Sequence, residues 1–340
     1  MRTSIYIAII FTLIGCRTDR PPIDIEPIIM SGGGEVIISN EGNYQYGNAS
    51  VSIYDPISNT SSNSHYESVN GTKLGDVCQS IGFKNGRAFI VMNNSSKIIV
   101  VNENSFEWQS DILGFVSPRY MLPINNSKAI VTELFTDSVA IVDMNDGRID
   151  KRVFVGGETE NLLEVFGKAF ITSPDRGQVY ILNTQSLNLI DSIEVGLGAS
   201  SITEDVIGRL WVLCNGGVNG AGSLYCIDPE SHQVLKAFQF EDETQSPWRL
   251  CMNASNDTMY YLNESVYKMG IHSTVLPTEP FVKSNTHNFY SVGFNPTNNE
   301  LYVGDAVDYI QQGIIYSFDQ SGTEKANFKT GIIPGEFYFR

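Results

Sequence analysis

The sequence predicts an all-β chain, a seven-bladed β-propeller whose C-terminal strand closes the first blade. Three observations lead there. Aromatic residues and Gly are frequent while helix-period stretches are scarce, the composition of a turn-rich β protein. A strand–turn–strand unit whose second strand ends in Asp or Asn recurs along the chain. Its copies are nearly evenly spaced, which is the mark of a repeat architecture.

The N-terminus is read first because it decides what belongs to the fold. Arg2 precedes an apolar run, Ile5 to Leu13, that is too short for a bilayer, which needs about 20 apolar residues. It has the length of a signal-peptide core. Leu13-Ile14-Gly15-Cys16 follows and resembles the bacterial lipobox, in which the cysteine is lipidated and becomes the new N-terminus. Residues 1–15 are therefore expected to be a lipoprotein signal peptide and Cys16 the lipidation site. Residues 16–30, with Pro21, Pro22 and Pro27, read as an extended tether. Residues 31–340 are left as the propeller. Several acyl chains on Cys16 would hold the protein on a membrane through the lipid alone.

The repeat is visible residue by residue. Lys97 to Asn102 follows Arg87 to Met92, and Ser138 to Asp143 follows Lys128 to Glu133. Gln178 to Asn183 follows Lys168 to Thr172, Ser223 to Asp228 follows Arg209 to Cys214, and Ile314 to Asp319 follows Glu300 to Gly304. Ala49 to Asp55 is a further copy and Ser265 to Met269 a degraded one. The second strands of the units begin near residues 35, 87, 128, 168, 209, 258 and 299. Four short strands per unit make a propeller blade, which must stack on its neighbours to bury its faces. The first unit lacks an innermost strand, and Pro334 to Phe339 has no unit of its own. The spacing predicts that this segment supplies the missing strand.

The formal charge is −16, and removing Arg2 with the signal peptide takes it to −17. Such acidity argues against nucleic acid as a partner. Apart from Cys16 there are Cys78, Cys214, Cys226 and Cys251, without a C-x-x-C pair. Cys214 and Cys226 fall on adjacent strands, so a disulfide and a pair of buried thiols both stand as readings. No zinc, phosphate-loop or nucleophile motif occurs, so no metal, cofactor or catalytic residue is expected.

In a blade with strands A to D from the axis outward, the D-to-A connections and B-to-C turns share one face. That face is chemically the richer. Its entries carry Arg119 and Tyr120, Trp248 and Arg249, Asn288, Phe289 and Tyr290, with Tyr338 at the matching place in the closing strand. Its loops add Tyr44, Tyr46, Asn94, Arg176, Tyr309 and Gln311. Aromatic, Arg and amide side chains suit stacking and amide recognition, so these are the candidate ligand-binding residues. The bland alternative is that the aromatics pack between blades and that Arg119 and Arg249 pair with carboxylates. Glu160, Glu336 and Asp76 are the acidic residues expected near the axis. His287, at an entry, keeps a propeller hydrolase or lyase as an alternative.

The repeats resemble the bacterial YVTN/YncE-like propellers. Gly75 to Ser80, Ser117 to Tyr120, Leu210 to Cys214 and Ile332 to Tyr338 look like the DUF5074-type surface lipoproteins of gut Gram-negative bacteria. That resemblance implies an outer-membrane lipoprotein, exposed at the cell surface, that captures a nutrient for a TonB-dependent receptor. In the best-understood branch the ligand is cobalamin, a corrinoid. A cell-surface scaffold using the same face for protein partners is the second alternative.

Overall fold

The structure is a computed structural model, which describes residues 34–340 apart from Asn219 and Thr244. The expectations for the signal peptide, Cys16 and the tether lie outside the described residues. Seven antiparallel sheets follow one another along the chain. The first contains Val36–Asn40, Ser50–Asp55 and Thr60–Ser62, and Pro334–Phe339 joins it as the innermost strand. Ile37 pairs with Tyr338 and Val36 with Phe339, so both ends of the ring are fastened in one sheet, as the spacing predicts. The closing strand also approaches the seventh blade closely. A β-carbon on Gly293 would lie 2.9 Å from the Cβ of Phe337, so only glycine fits there.

The core explains why the second and third strands read as apolar runs. Their residues alternate between two buried faces rather than between core and water. In the second blade Ala88, Ile90 and Met92 pack toward the first blade, while Phe89 and Val91 pack toward the third. The same alternation repeats around the ring, and each of seven apolar clusters spans one pair of neighbouring blades. Every strand of the ring lies within the described residues, which therefore carry a complete closed core. The fourth strands, such as Arg148–Phe154 and Glu324–Lys329, are mostly exposed and form the polar outer wall. Among the described residues no helix is long and apolar enough to cross a membrane.

Two expectations need correction. The sixth blade has three strands, Trp248–Met252, Thr258–Asn263 and Ser265–Gly270, rather than four. The chain after Gly270 contains Pro277 and Pro280, which cannot donate to a ladder, and it returns only as a single bridge from Val282 to Val266. The disulfide reading of Cys214 and Cys226 also fails. Cys226 pairs with Trp211 and Cys214 with Ser223, so the two side chains project from opposite faces of the fifth blade. Cys214 is buried against the fourth blade and Cys226 against the sixth, both as free thiols.

Candidate functional site

Six of the seven innermost strands share one irregularity. Each has a β-bulge close to the end that faces the axis opening. The extra residues are Gln79 in the second blade, Arg119 with Tyr120 in the third, and Ser200 in the fifth. Arg249 in the sixth, Tyr290 in the seventh and Gly335 in the closing strand complete the set. A bulge re-aims a side chain that regular alternation would send between blades. Here it turns Gln79, Arg119, Tyr120, Ser200, Arg249 and Tyr290 into one axial cavity of about 420 Å³. Arg249 holds this position with φ of 54°, a conformation unusual for a side-chain-bearing residue.

The cavity wall is a connected polar network. Arg119 donates to both oxygens of Glu160, at 2.7 Å from Nε and 2.6 Å from Nη2, and from Nη1 to Oε1 of Gln79. Arg249 donates to Glu336, to the Tyr120 hydroxyl at 3.1 Å and to Glu41 at 3.3 Å. Tyr120 donates to Glu336 at 2.7 Å, and Tyr290 to Glu41 at 2.9 Å. Trp248 packs edge-on against Tyr290 at 4.6 Å, and the Arg249 guanidinium lies over both rings. Burial works against the Arg119 charge, yet Glu160, with smaller help from Tyr120 and Glu41, more than offsets it and holds the guanidinium above its ordinary value. Burial pushes the Glu41 carboxyl up, more than Arg249 and Tyr290 pull it down.

Three buried donors in this wall have no partner among the described residues: Nε2 of Gln79, Nε of Arg249 and Oγ of Ser200. The Gln79 amide cannot turn round to escape, because Arg119 only donates and so fixes Oε1 toward itself. Buried groups of this kind are ordinarily satisfied. A molecule entering the cavity would meet them as donors for a carbonyl or amide oxygen, with Glu41 and Glu336 as nearby acceptors.

Of the sequence-based candidates, Arg119, Tyr120, Trp248, Arg249 and Tyr290 meet in this cavity. Tyr309 stands at its edge, 5.9 Å from Tyr290 ring to ring. Tyr44 and Tyr46 are exposed, at 63% and 76%, on the loop that follows Val36–Asn40. Arg176 lies in a shallower depression with Phe135, which shares Glu158 with the axial cavity, and pairs with Asp175.

The other candidates are placed differently, and the reason is local geometry. Phe289 is buried and stacks on His287, because it precedes the bulge instead of occupying it. Tyr338 points between blades and its hydroxyl accepts the Ile81 N–H at 2.6 Å. Asn94 donates to Asp76, Asn288 to the Val307 carbonyl and Gln311 to Asp308, so these amides hold their own loops. His287 binds the buried Asp305 at 2.8 Å and does not line the axial cavity. Of the three carboxylates expected near the axis, Glu160 and Glu336 are there, each on an arginine, while Asp76 caps the Gln45 N–H.

Sequence reasoning missed Gln79, Ser200 and Glu41. A bulge has no residue signature of its own, but Glu41 directly follows a second strand, as Leu134, Pro174 and Asn215 do, and all four line the cavity. Among the described residues no group of three His, Cys, Asp or Glu side chains is arranged to hold a metal ion.

Seven closed blades around a polar axial cavity define a β-propeller with a site at the mouth of its axis. The chain belongs to the DUF5074 family, described as a domain of unknown function, which matches it over residues 34–339. No curated protein matches the sequence. Among solved structures it is similar to a quinonprotein alcohol dehydrogenase-like protein from Bacteroides thetaiotaomicron, with a TM-score of 0.69 and 13% identity over 91% of this chain and 78% of that one. It is also similar to the periplasmic gluconolactonase of Pseudomonas aeruginosa, with a TM-score of 0.67 and 13% identity over 90% of this chain and 98% of that one. A protein from Lactobacillus plantarum gives a TM-score of 0.69 at 10% identity, covering 91% and 99%. At these identities the likeness is one of fold, and the neighbours include enzymes.

Proposed function

We propose that this chain is a ligand-capturing lipoprotein, held on the outer membrane through Cys16, that binds an amide-bearing nutrient of the corrinoid class and passes it to a TonB-dependent receptor. The observation that carries the reading is the trio of unpartnered donors in the axial cavity, Gln79, Ser200 and Arg249. A primary carboxamide answers them: its oxygen accepts from Gln79 or Arg249, and its NH₂ donates to Glu41 or Glu336. A cavity of about 420 Å³ admits such a group but not a whole corrinoid, which would lie across the mouth. The exposed rings of Tyr44, Tyr46 and Phe135, with Tyr309, offer it aromatic surface there. Charge-free amide recognition also suits an acidic protein better than capture of an anion would.

Calorimetric titration of residues 31–340 with cobalamin and with cobinamide tests this. Saturable binding is expected, weakened about tenfold or more by Gln79→Met, because one hydrogen bond to a desolvated group is lost. No heat and no retained ligand with either corrinoid overturns it. One observation favours a second reading, a docking face for a protein. The same rim exposes Val116, Leu197, Val218 and Ile310 as well as the aromatics, and exposed apolar patches mark interaction sites. Pull-down of an outer-membrane receptor without any ligand would support that reading over capture alone.

A further inference from the structure

A second cavity, larger than the axial one, lies away from the axis. It holds about 880 Å³ at the outer wall between the fifth and sixth blades. It lies where the sixth blade lacks a fourth strand, and Leu276 and its neighbours, on the segment that replaces that strand, form part of its wall. Its interior is aromatic. Tyr261 and Tyr267 stack at 5.6 Å with their planes 11° apart, and Phe240 meets Tyr261 edge-on at 5.9 Å. The Tyr261 side chain is fully buried, and its hydroxyl has no partner among the described residues. Glu241 and Asp242 stand at the cavity's rim, and among the described residues no Lys or Arg lines it. Burial, then Glu264 and Glu279, raise the Tyr267 phenol, so the field around that ring is negative.

We propose that this groove is a second binding site, separate from the axial one, for an aromatic amine whose ring carries an N–H donor. The flat ring lies against Tyr267 and Leu276, where aromatic surface is already preformed. The ring N–H donates to the Tyr261 hydroxyl oxygen, which answers an unsatisfied polar atom in the wall. The protonated amine sits toward Glu241 and Asp242, where both the carboxylates and the tyrosine faces attract a cation. An anion of the same shape meets the same walls and the opposite field.

Tryptamine and indole-3-propionate separate these effects, since they share a ring and a chain length and differ in charge. Both are titrated into residues 31–340 labelled at the tyrosine rings with ¹³C. Saturable tryptamine binding is expected, with shifts at the Tyr261 and Tyr267 rings and none at Tyr290. Indole-3-propionate should bind about tenfold more weakly or less. Leu276→Trp, which fills the groove, should abolish binding, and Tyr261→Phe, which removes only the oxygen, should weaken it about threefold or more. The proposal is overturned by no saturable binding up to about 10 mM, by equal affinity for the two indoles, or by shifts at Tyr290 instead. If Leu276→Trp does not fold, Tyr261→Phe decides: unchanged affinity overturns the proposal. Failure of either corrinoid to bind leaves this site unaffected, because the two cavities share no residue.

Discussion

Replacing Arg249 by Met removes the guanidinium that both Glu41 and Glu336 bind. The three side chains are well buried, at 12%, 14% and 23% exposure. Removing one partner of a buried ion pair costs about 3–5 kcal/mol, and the partial exposure of Glu336 points to the lower end, about 3 kcal/mol. That is a large part of a total stability of about 5–15 kcal/mol. Glu336→Gln is milder, because Arg249 keeps Tyr120 at 3.1 Å and Glu41 at 3.3 Å, so a loss of about 1–2 kcal/mol is expected. The double variant leaves neither a stripped carboxylate at 336 nor a stripped cation at 249. It should be less destabilised than the sum of the two single changes by about 1–3 kcal/mol. Urea unfolding of the four proteins, followed by tryptophan fluorescence, measures this. A loss under about 1 kcal/mol for Arg249→Met, or additivity within about 0.5 kcal/mol, would refute the view that the axial network is one coupled unit.

Four other outcomes follow from the same geometry. Tyr338→Phe leaves the Ile81 N–H unpaired in the core and should cost about 1–3 kcal/mol in the same assay, whereas deletion of Pro334 to Arg340 should prevent folding; a native circular dichroism spectrum for the truncated chain would contradict closure through that strand. Glu41 has a carboxyl raised by burial above its ordinary value of 4.5, so the folded state binds the proton more tightly than the unfolded chain. Its contribution favours folding below that ordinary value and is lost as pH rises through the raised one; stability of the native sequence relative to Glu41→Gln should therefore fall with rising pH across that window, and parallel pH–stability curves would count against it. Burial pushes the Cys214 thiol up to about 12 and the Cys226 thiol up to about 11, so neither should react with a thiol reagent at pH 8 until urea is added, and rapid labelling of the native protein would show the blade packing to be wrong.

The fold was legible in the sequence because a propeller blade is a local object. Strand, turn and strand lie within about 40 residues, and both faces of the middle strands are buried, so Lys97 to Asn102 and its counterparts announce themselves as apolar runs. Even the closing strand could be inferred, since Pro334 to Phe339 was a strand without a unit and the first blade a unit without its inner strand. The rich face was legible too, because blade order fixes which loops lie together. The membership of the axial cavity was legible only in part: Arg119, Tyr120, Trp248, Arg249 and Tyr290 were candidates, while Glu41, Gln79 and Ser200 were not. Glu41, Gln79, Arg119, Ser200 and Arg249, with Glu336 bound to Arg249 and Tyr120, are far apart along the chain, and only ring closure brings them to one axis.

In six of the seven inner strands, a bulge decides whether a side chain faces the cavity or the neighbouring blade. That choice sends Tyr290 inward and leaves Phe289 in the core. A bulge is selected by the packing of the strands on either side, not by the residue that occupies it. The sixth blade is the same lesson at a larger scale. Its degraded repeat, Ser265 to Met269, did not disclose the missing fourth strand, and the groove beside Tyr261 and Tyr267 exists because of how the fifth blade and the segment around Leu276 close over the gap. The sequence by itself determined the repeat, the number of blades and the face on which polar and aromatic groups collect. The tertiary structure alone decided which of those groups meet, because contact across a ring depends on closure and register, and neither is written in any single stretch of the chain.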